Sequence, residues 1–198
     1  VGGYRAPYVS GYGIGADYAS CDIDVRRIFH TSGTYELPFG KGKRYATTGV
    51  ARALAGGWSA NWIFTAQDGQ PLSVACTTTT AAGLGCFALK VPGQDPYAGS
   101  HNVKQFLNPA AFANPAVGSL GGAPAQISGP PFRKLDFSVF RRFSLSDVRY
   151  FEFRAESFNL TNTPAFGLPG ATLNGLGVGQ ITSAGDPRRI QFGLKFIM

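Results

Sequence analysis

Glu152 and Glu156, four positions apart, are the first place where paired carboxylates could act as general acid and base. They lie in Tyr150–Leu160, where large apolar residues alternate with charged ones, so both point from one face of a strand. Strand rise puts them about 13 Å apart, beyond the roughly 5–10 Å that glycoside hydrolysis uses. Gly11-Tyr12-Gly13-Ile14-Gly15 has spaced glycines but neither the preceding apolar strand nor the following helix of a dinucleotide cradle. His30 and His101 are isolated, without the closely spaced Cys or His of a zinc site. No Gly-x-Ser-x-Gly elbow occurs, and Asn159-Leu160-Thr161 matches a glycosylation acceptor by chance. The expectation is a protein with no catalytic residues, no cofactor and no metal.

Cys76 and Cys86 lie close together in a Thr/Ala/Gly-rich stretch and would form a disulfide in an oxidising exterior. Cys21 is then odd, either free or paired outside this sequence. The net charge of +7 invites a nucleic-acid reading. The basic residues are scattered, however, with short clusters at Lys41-Gly42-Lys43-Arg44, Arg141-Arg142 and Arg188-Arg189. A nucleic-acid surface would concentrate them with interleaved aromatics, so no such partner is expected.

Alternation sets the elements. Ile190, Phe192, Leu194, Phe196 and Met198 are large and apolar, while Gln191, Gly193 and Lys195 between them are polar or small. Period two means a strand with one greasy and one wet face. The same pattern appears at Ile28–Leu37, Trp58–Gln67, Arg133–Phe143 and Tyr150–Leu160. Each has about the length of a tilted membrane strand, and the apolar faces carry charge only at Arg133 and Arg141, the two ends of one segment. No run of apolar residues is long enough for a transmembrane helix. A mean hydropathy near zero agrees with a barrel, whose strands hide apolar residues in alternation.

These features predict an all-β fold: an antiparallel up-and-down transmembrane β-barrel segment of about five strands with long extracellular loops. Connection lengths orient it, because such barrels have short periplasmic turns and long outer loops. Residues 38–57 and 144–149 would be periplasmic, as would the C-terminus. Residues 1–27 would be the remnant of an outer loop, 28–198 the barrel section, and about 68–132 a long extracellular loop. Five strands cannot close a barrel, and no leader is visible at Val1, so the chain reads as the C-terminal part of something larger. Trp58, Phe39, Tyr45 and Phe143 would form an aromatic girdle at the periplasmic rim.

Several motifs carry a resemblance. Gln191, Gly193, Phe196 and Met198 take the places of the signal read by the barrel assembly machinery, with Met198 where Phe is usual. Tyr35-Glu36-Leu37-Pro38-Phe39-Gly40-Lys41-Gly42-Lys43, Gly57-Trp58-Ser59, Asn108-Pro109-Ala110-Ala111-Phe112, residues 154–162 (Arg-Ala-Glu-Ser-Phe-Asn-Leu-Thr-Asn) and Ile181-Thr182-Ser183 follow in order. Together they resemble the C-terminal barrel of TonB-dependent outer-membrane receptors, in the Oar-like branch with a carboxypeptidase-regulatory-like domain. The resemblance implies a barrel of about 22 strands, a plug, and an energy-transducing TonB complex reached through an N-terminal part not in this sequence. It also implies an unidentified ligand, a lipid-facing surface and the outer membrane of a Gram-negative bacterium.

The polar faces would make a lumen wall of Glu36, Asp136, Glu152, Arg154, Glu156, Arg189 and Lys195. Mixed signs at this density point to pairing across neighbouring strands more than to a permeation path. Two other readings stay open: a surface adhesion or complex-assembly barrel without transport, and a soluble β-sandwich binding module.

Overall fold

The computed structural model describes residues 15, 18–78, 86–146 and 148–198. Side-chain surroundings of Ser100 and His101 lie outside that description, as do residues 11–14 of the glycine-rich stretch. The chain divides into two compact units.

One unit holds residues 28–66, 133–165 and 186–198. Its five strands are β1 (Ile28–Glu36), β2 (Trp58–Gln67), β3 (Phe132–Ser144), β4 (Tyr150–Phe158) and β5 (Arg189–Ile197). They form one sheet in the order of the sequence. β4 pairs antiparallel with β3 and with β5, in registers running from Tyr150 opposite Ser144 and Ile197 to Ser157 opposite Phe137 and Ile190. Among the described residues neither β1 nor β5 has a partner on its outer side, so the sheet is open.

Register explains why alternation survives folding. Phe151, Phe153 and Ala155 face Phe196, Leu194 and Phe192 of β5, and the rings of Phe151 and Phe196 sit 4.7 Å apart. Trp58 meets Phe153 edge-on at 6.0 Å, and Phe29 meets Phe64 at 6.2 Å. Gly33 lies under the Trp62 ring, where a Cβ would come within 2.4 Å of ring carbon. This apolar face is not a buried core: Ile190, Phe192, Leu194, Phe29 and Tyr35 are all exposed. No helix among the described residues is long and apolar enough to cross a membrane.

Strand ends depart from expectation by a residue or two, each for a local reason. β4 stops at Phe158 and not Leu160, because Asn159 takes a left-handed φ of 55°. β1 stops at Glu36, ahead of Pro38, although Leu37 still donates its N–H to the Trp58 carbonyl. β3 gains Phe132 and Ser144, and β5 ends at Ile197, leaving Met198 beyond the strand. Between β3 and β4 the N–H groups of Leu145 and Ser146 both bond the Arg149 carbonyl, closing a tight turn. The β1–β2 connection is more ordered than a turn and contains a helix, α1 (Gly49–Ala55).

The other unit holds residues 67–132 and 166–185 with the described part of 1–27. The expected long loop is thus a folded body. Short antiparallel pairs join Pro71–Leu72 to Ile127–Ser128, Leu89–Lys90 to Phe112–Ala113, and Tyr97–Asn102 to Gln105–Leu107. They surround a core that includes Val74, Ala88, Leu107, Phe112, Leu173 and Ile181. Residues 166–185 are stitched in by backbone bonds: Phe106 N–H to the Gly179 carbonyl at 2.7 Å and Ile181 N–H to Val103 at 2.8 Å. Gly179 sits at φ 76° with its Cα against Leu107, where a Cβ would fall 2.7 Å from the Leu107 carbonyl oxygen. Cys76 and Cys86 are joined by a disulfide, their Cα atoms 5.1 Å apart; Cys21 is free and exposed. Asn108 explains its own motif: its side chain accepts from Ala110 N–H to start a short 3-10 turn and donates to the Asp95 carbonyl.

Candidate functional site

The polar face of the sheet carries the densest chemistry. Period two places Glu152, Arg154 and Glu156 on the same side of β4, and register puts Arg142 of β3 and Lys195 of β5 either side of Glu152. Glu152 is only 7% exposed. Its two carboxylate oxygens accept from Arg142 Nε at 2.8 Å and from a terminal nitrogen of Arg154 at 2.9 Å. Arg154 also reaches Glu156 at 3.4 Å, and Glu156 accepts from Gln191 of β5. One carboxylate therefore bridges two guanidinium groups, and the chain of contacts runs across three strands. Arg154 lies over the Phe140 ring at 5.7 Å, which places Phe140 on this otherwise polar face. Beside the cluster is a cleft of about 230 Å³ lined by Asn61, Ile63, Asp136, Ser138, Arg154 and Glu156 among others.

The expected wall of seven residues is therefore only partly one network. Glu152, Arg154 and Glu156 belong to it. Asp136 pairs with Lys134 at 2.9 Å and accepts the Asn159 N–H at 2.8 Å. Glu36 turns to Lys43 in the following connection, and Arg189 pairs locally with Asp186. Lys195 stands opposite Glu152 in register, with no ion pair among the described residues. Two contributors were legible in the sequence but not by role: Arg142, noted there only as half of a basic pair, and Gln191, read as part of the assembly signal. Of that signal, Gly193 has open space at its Cβ position, Phe196 packs on Phe151, and Met198 is exposed. His30 shares a hydrogen bond with Thr65 at 3.0 Å.

Asn159 has a structural role that its sequence context did not show. It is 5% exposed, at the point where β4 ends. Its amide nitrogen donates to the carbonyls of Thr163 and Asp186, and its side-chain oxygen accepts from Thr163 N–H. Asn162, also left-handed at φ 51°, accepts from Arg188 N–H just before β5. Two asparagines thus fix where β4 ends and where β5 begins. Asn159→Asp keeps the acceptor but loses the two bonds that the buried side chain donates to the Thr163 and Asp186 carbonyls. We expect a loss of about 1–2 kcal/mol, read as a lower urea midpoint of the folded protein in detergent, with the sheet otherwise retained.

A protein-family model described as an outer membrane beta barrel domain matches residues 2–191. Neither the curated proteins nor the solved structures contain a match to the chain.

Proposed function

The chain belongs to the outer membrane beta barrel domain family, and from that premise we propose that it is part of a TonB-dependent receptor that takes up a ligand with energy from the inner membrane. The barrel lies in the outer membrane of a Gram-negative bacterium, its apolar sheet face toward lipid and the Glu152 network toward the lumen. The open edges of β1 and β5 call for further strands, because an unpaired edge inside a bilayer leaves backbone groups unsatisfied. The connections at 38–57 and 144–149 are shorter than those at 67–132 and 159–188, which supports a periplasmic position for those ends and, with them, Met198. Gln191, Gly193, Phe196 and Met198 would engage the barrel assembly machinery.

The folded unit of 67–132 and 166–185 carries this reading. A passive wall needs only turns, whereas loops this long with a core and a disulfide of their own are the mark of a binding surface. The order of the Oar-like motifs supports the receptor assignment. The test is the complete gene. It should encode a plug and an energy-coupling segment, and deleting either the gene or its energy-transducing partner should abolish uptake of the same ligand. A complete reading frame without a plug, or uptake indifferent to loss of the partner, contradicts transport.

The same folded unit suits a second reading, a barrel that displays a surface for adhesion or complex assembly without transport. It predicts cell-surface binding that persists when the energy-transducing partner is deleted.

A further inference from the structure

The β1–β2 connection puts a small amphipathic surface at one rim of the sheet. Backbone bonds between Gly40 and Tyr45 and between Tyr45 and Pro38 fold residues 38–45 into a tight loop, and Gly57 N–H bonds the Phe39 carbonyl to draw α1 alongside it. The C-terminal end of α1 is held by two side chains from the apolar face: Trp58 Nε1 donates to the Leu54 carbonyl at 3.0 Å, and Arg141 donates to the carbonyls of Ala53 and Leu54 at 2.6 and 3.0 Å. Arg141, one of the only two charges on that face, thus has its charge directed to helix carbonyls at the strand end. Val50 and Leu54, one turn apart on α1, are 74% and 71% exposed.

Charge in the connection between β1 and β2 has one sign. Lys41, Lys43, Arg44 and Arg52 lie between Glu36 and Trp58 with no acidic residue among them, and Glu36 is taken by Lys43 at 2.6 Å. Arg44 lies over the Tyr45 ring and Arg141 over Phe143, at 5.4 and 4.4 Å. Exposed apolar side chains flanked by basic ones, joined to a lipid-facing sheet, match the way an interfacial helix seats between acyl chains and headgroups. We propose that α1 and the basic loop before it form a docking surface for anionic phospholipid of the periplasmic leaflet: Val50 and Leu54 enter the acyl region while Lys41, Arg44 and Arg52 meet headgroup phosphates. The surface is continuous with the lipid face carrying Trp58 and Phe153, and its charge complements an anionic headgroup. The choice of leaflet rests on the orientation given under Proposed function.

The full-length protein is reconstituted in vesicles of phosphatidylethanolamine with phosphatidylglycerol, extracted gently, and its retained lipids are counted by native mass spectrometry. Phosphatidylglycerol should be retained several-fold over its share of the vesicle. The triple variant Lys41→Gln, Arg44→Gln, Arg52→Gln should cut that preference by roughly fivefold or more, since each basic residue near an anionic surface adds to the attraction. Leu54→Ser alone should reduce total lipid retained without changing the preference. Heat-modifiable migration of each variant shows that the barrel is still folded. Equal retention of both lipids, or a preference unchanged in the triple variant, overturns the proposal. Orientation is read separately, with Thr47→Cys in a Cys21→Ser background. Labelling by an impermeant maleimide on intact cells overturns the orientation, while protection without lipid preference overturns only the docking surface.

Discussion

Leu194→Arg should cost about 2–4 kcal/mol of folding stability in a bilayer, the value for a basic side chain facing lipid near mid-depth. Leu194 sits mid-strand in β5, opposite Phe153 in register and on the apolar face. Its side chain is 71% exposed, and that number gives the prediction its force. In water, arginine in place of so exposed a leucine would change stability by no more than about 0.5 kcal/mol and would help solubility. In lipid the same exposure means contact with acyl chains, and the substitution becomes one of the most damaging the sheet can take. Gly193→Ser is the control, because nothing lies within 4 Å of its Cβ position on the polar face; it should stay within about 0.5 kcal/mol. Unfolding by urea from lipid vesicles separates the two cases.

Glu152→Ala should cost about 2–3 kcal/mol. Breaking a buried ion pair by removing one partner costs about 3–5 kcal/mol, and the larger exposure of Arg142 and Arg154 lets water recover part of it. The loss leaves two guanidinium groups facing each other across β3 and β4 with no carboxylate between them. Glu156→Ala should cost under about 1 kcal/mol, since its ion pair is longer and its side chain more open to solvent. Combining Glu152→Ala with Arg154→Ala should cost less than the sum of the two, because removing Arg154 relieves the repulsion that the first change creates. Additive costs would mean that the three side chains do not act as one network.

The five strands were legible because their signal is local: side chains alternate, and a barrel strand must keep charge off one face. The open sheet also followed from the sequence, since five strands are too few to close a barrel. The second unit left no such trace. Its core gathers Val74, Leu107, Leu173 and Ile181 from far-separated stretches without a period, and its links include isolated parallel bridges such as Ala75 with Thr172. The seven-residue helix α1 was too short for a 3.6-residue pattern to stand out before Gly56-Gly57. For the wall, face was readable but partnership was not. Which of seven charged residues meet depends on register, and a one-residue slip would move Arg142 away from Glu152. Asn159 looked like a chance sequon because its role needs the carbonyls of Thr163 and Asp186 brought to it by the fold.

The central claim is that the apolar face of this sheet meets lipid, and spin labels placed singly along Ile190–Phe196 of the full-length protein, with Cys21 replaced by Ser, test it most directly. In a bilayer, labels at 190, 192, 194 and 196 should collide with dissolved oxygen and be shielded from a water-soluble nickel reagent, while labels at 191, 193 and 195 should show the reverse. Nickel access at Phe192 and Leu194 equal to that at Gln191 and Lys195, or the loss of the two-residue period, would contradict it.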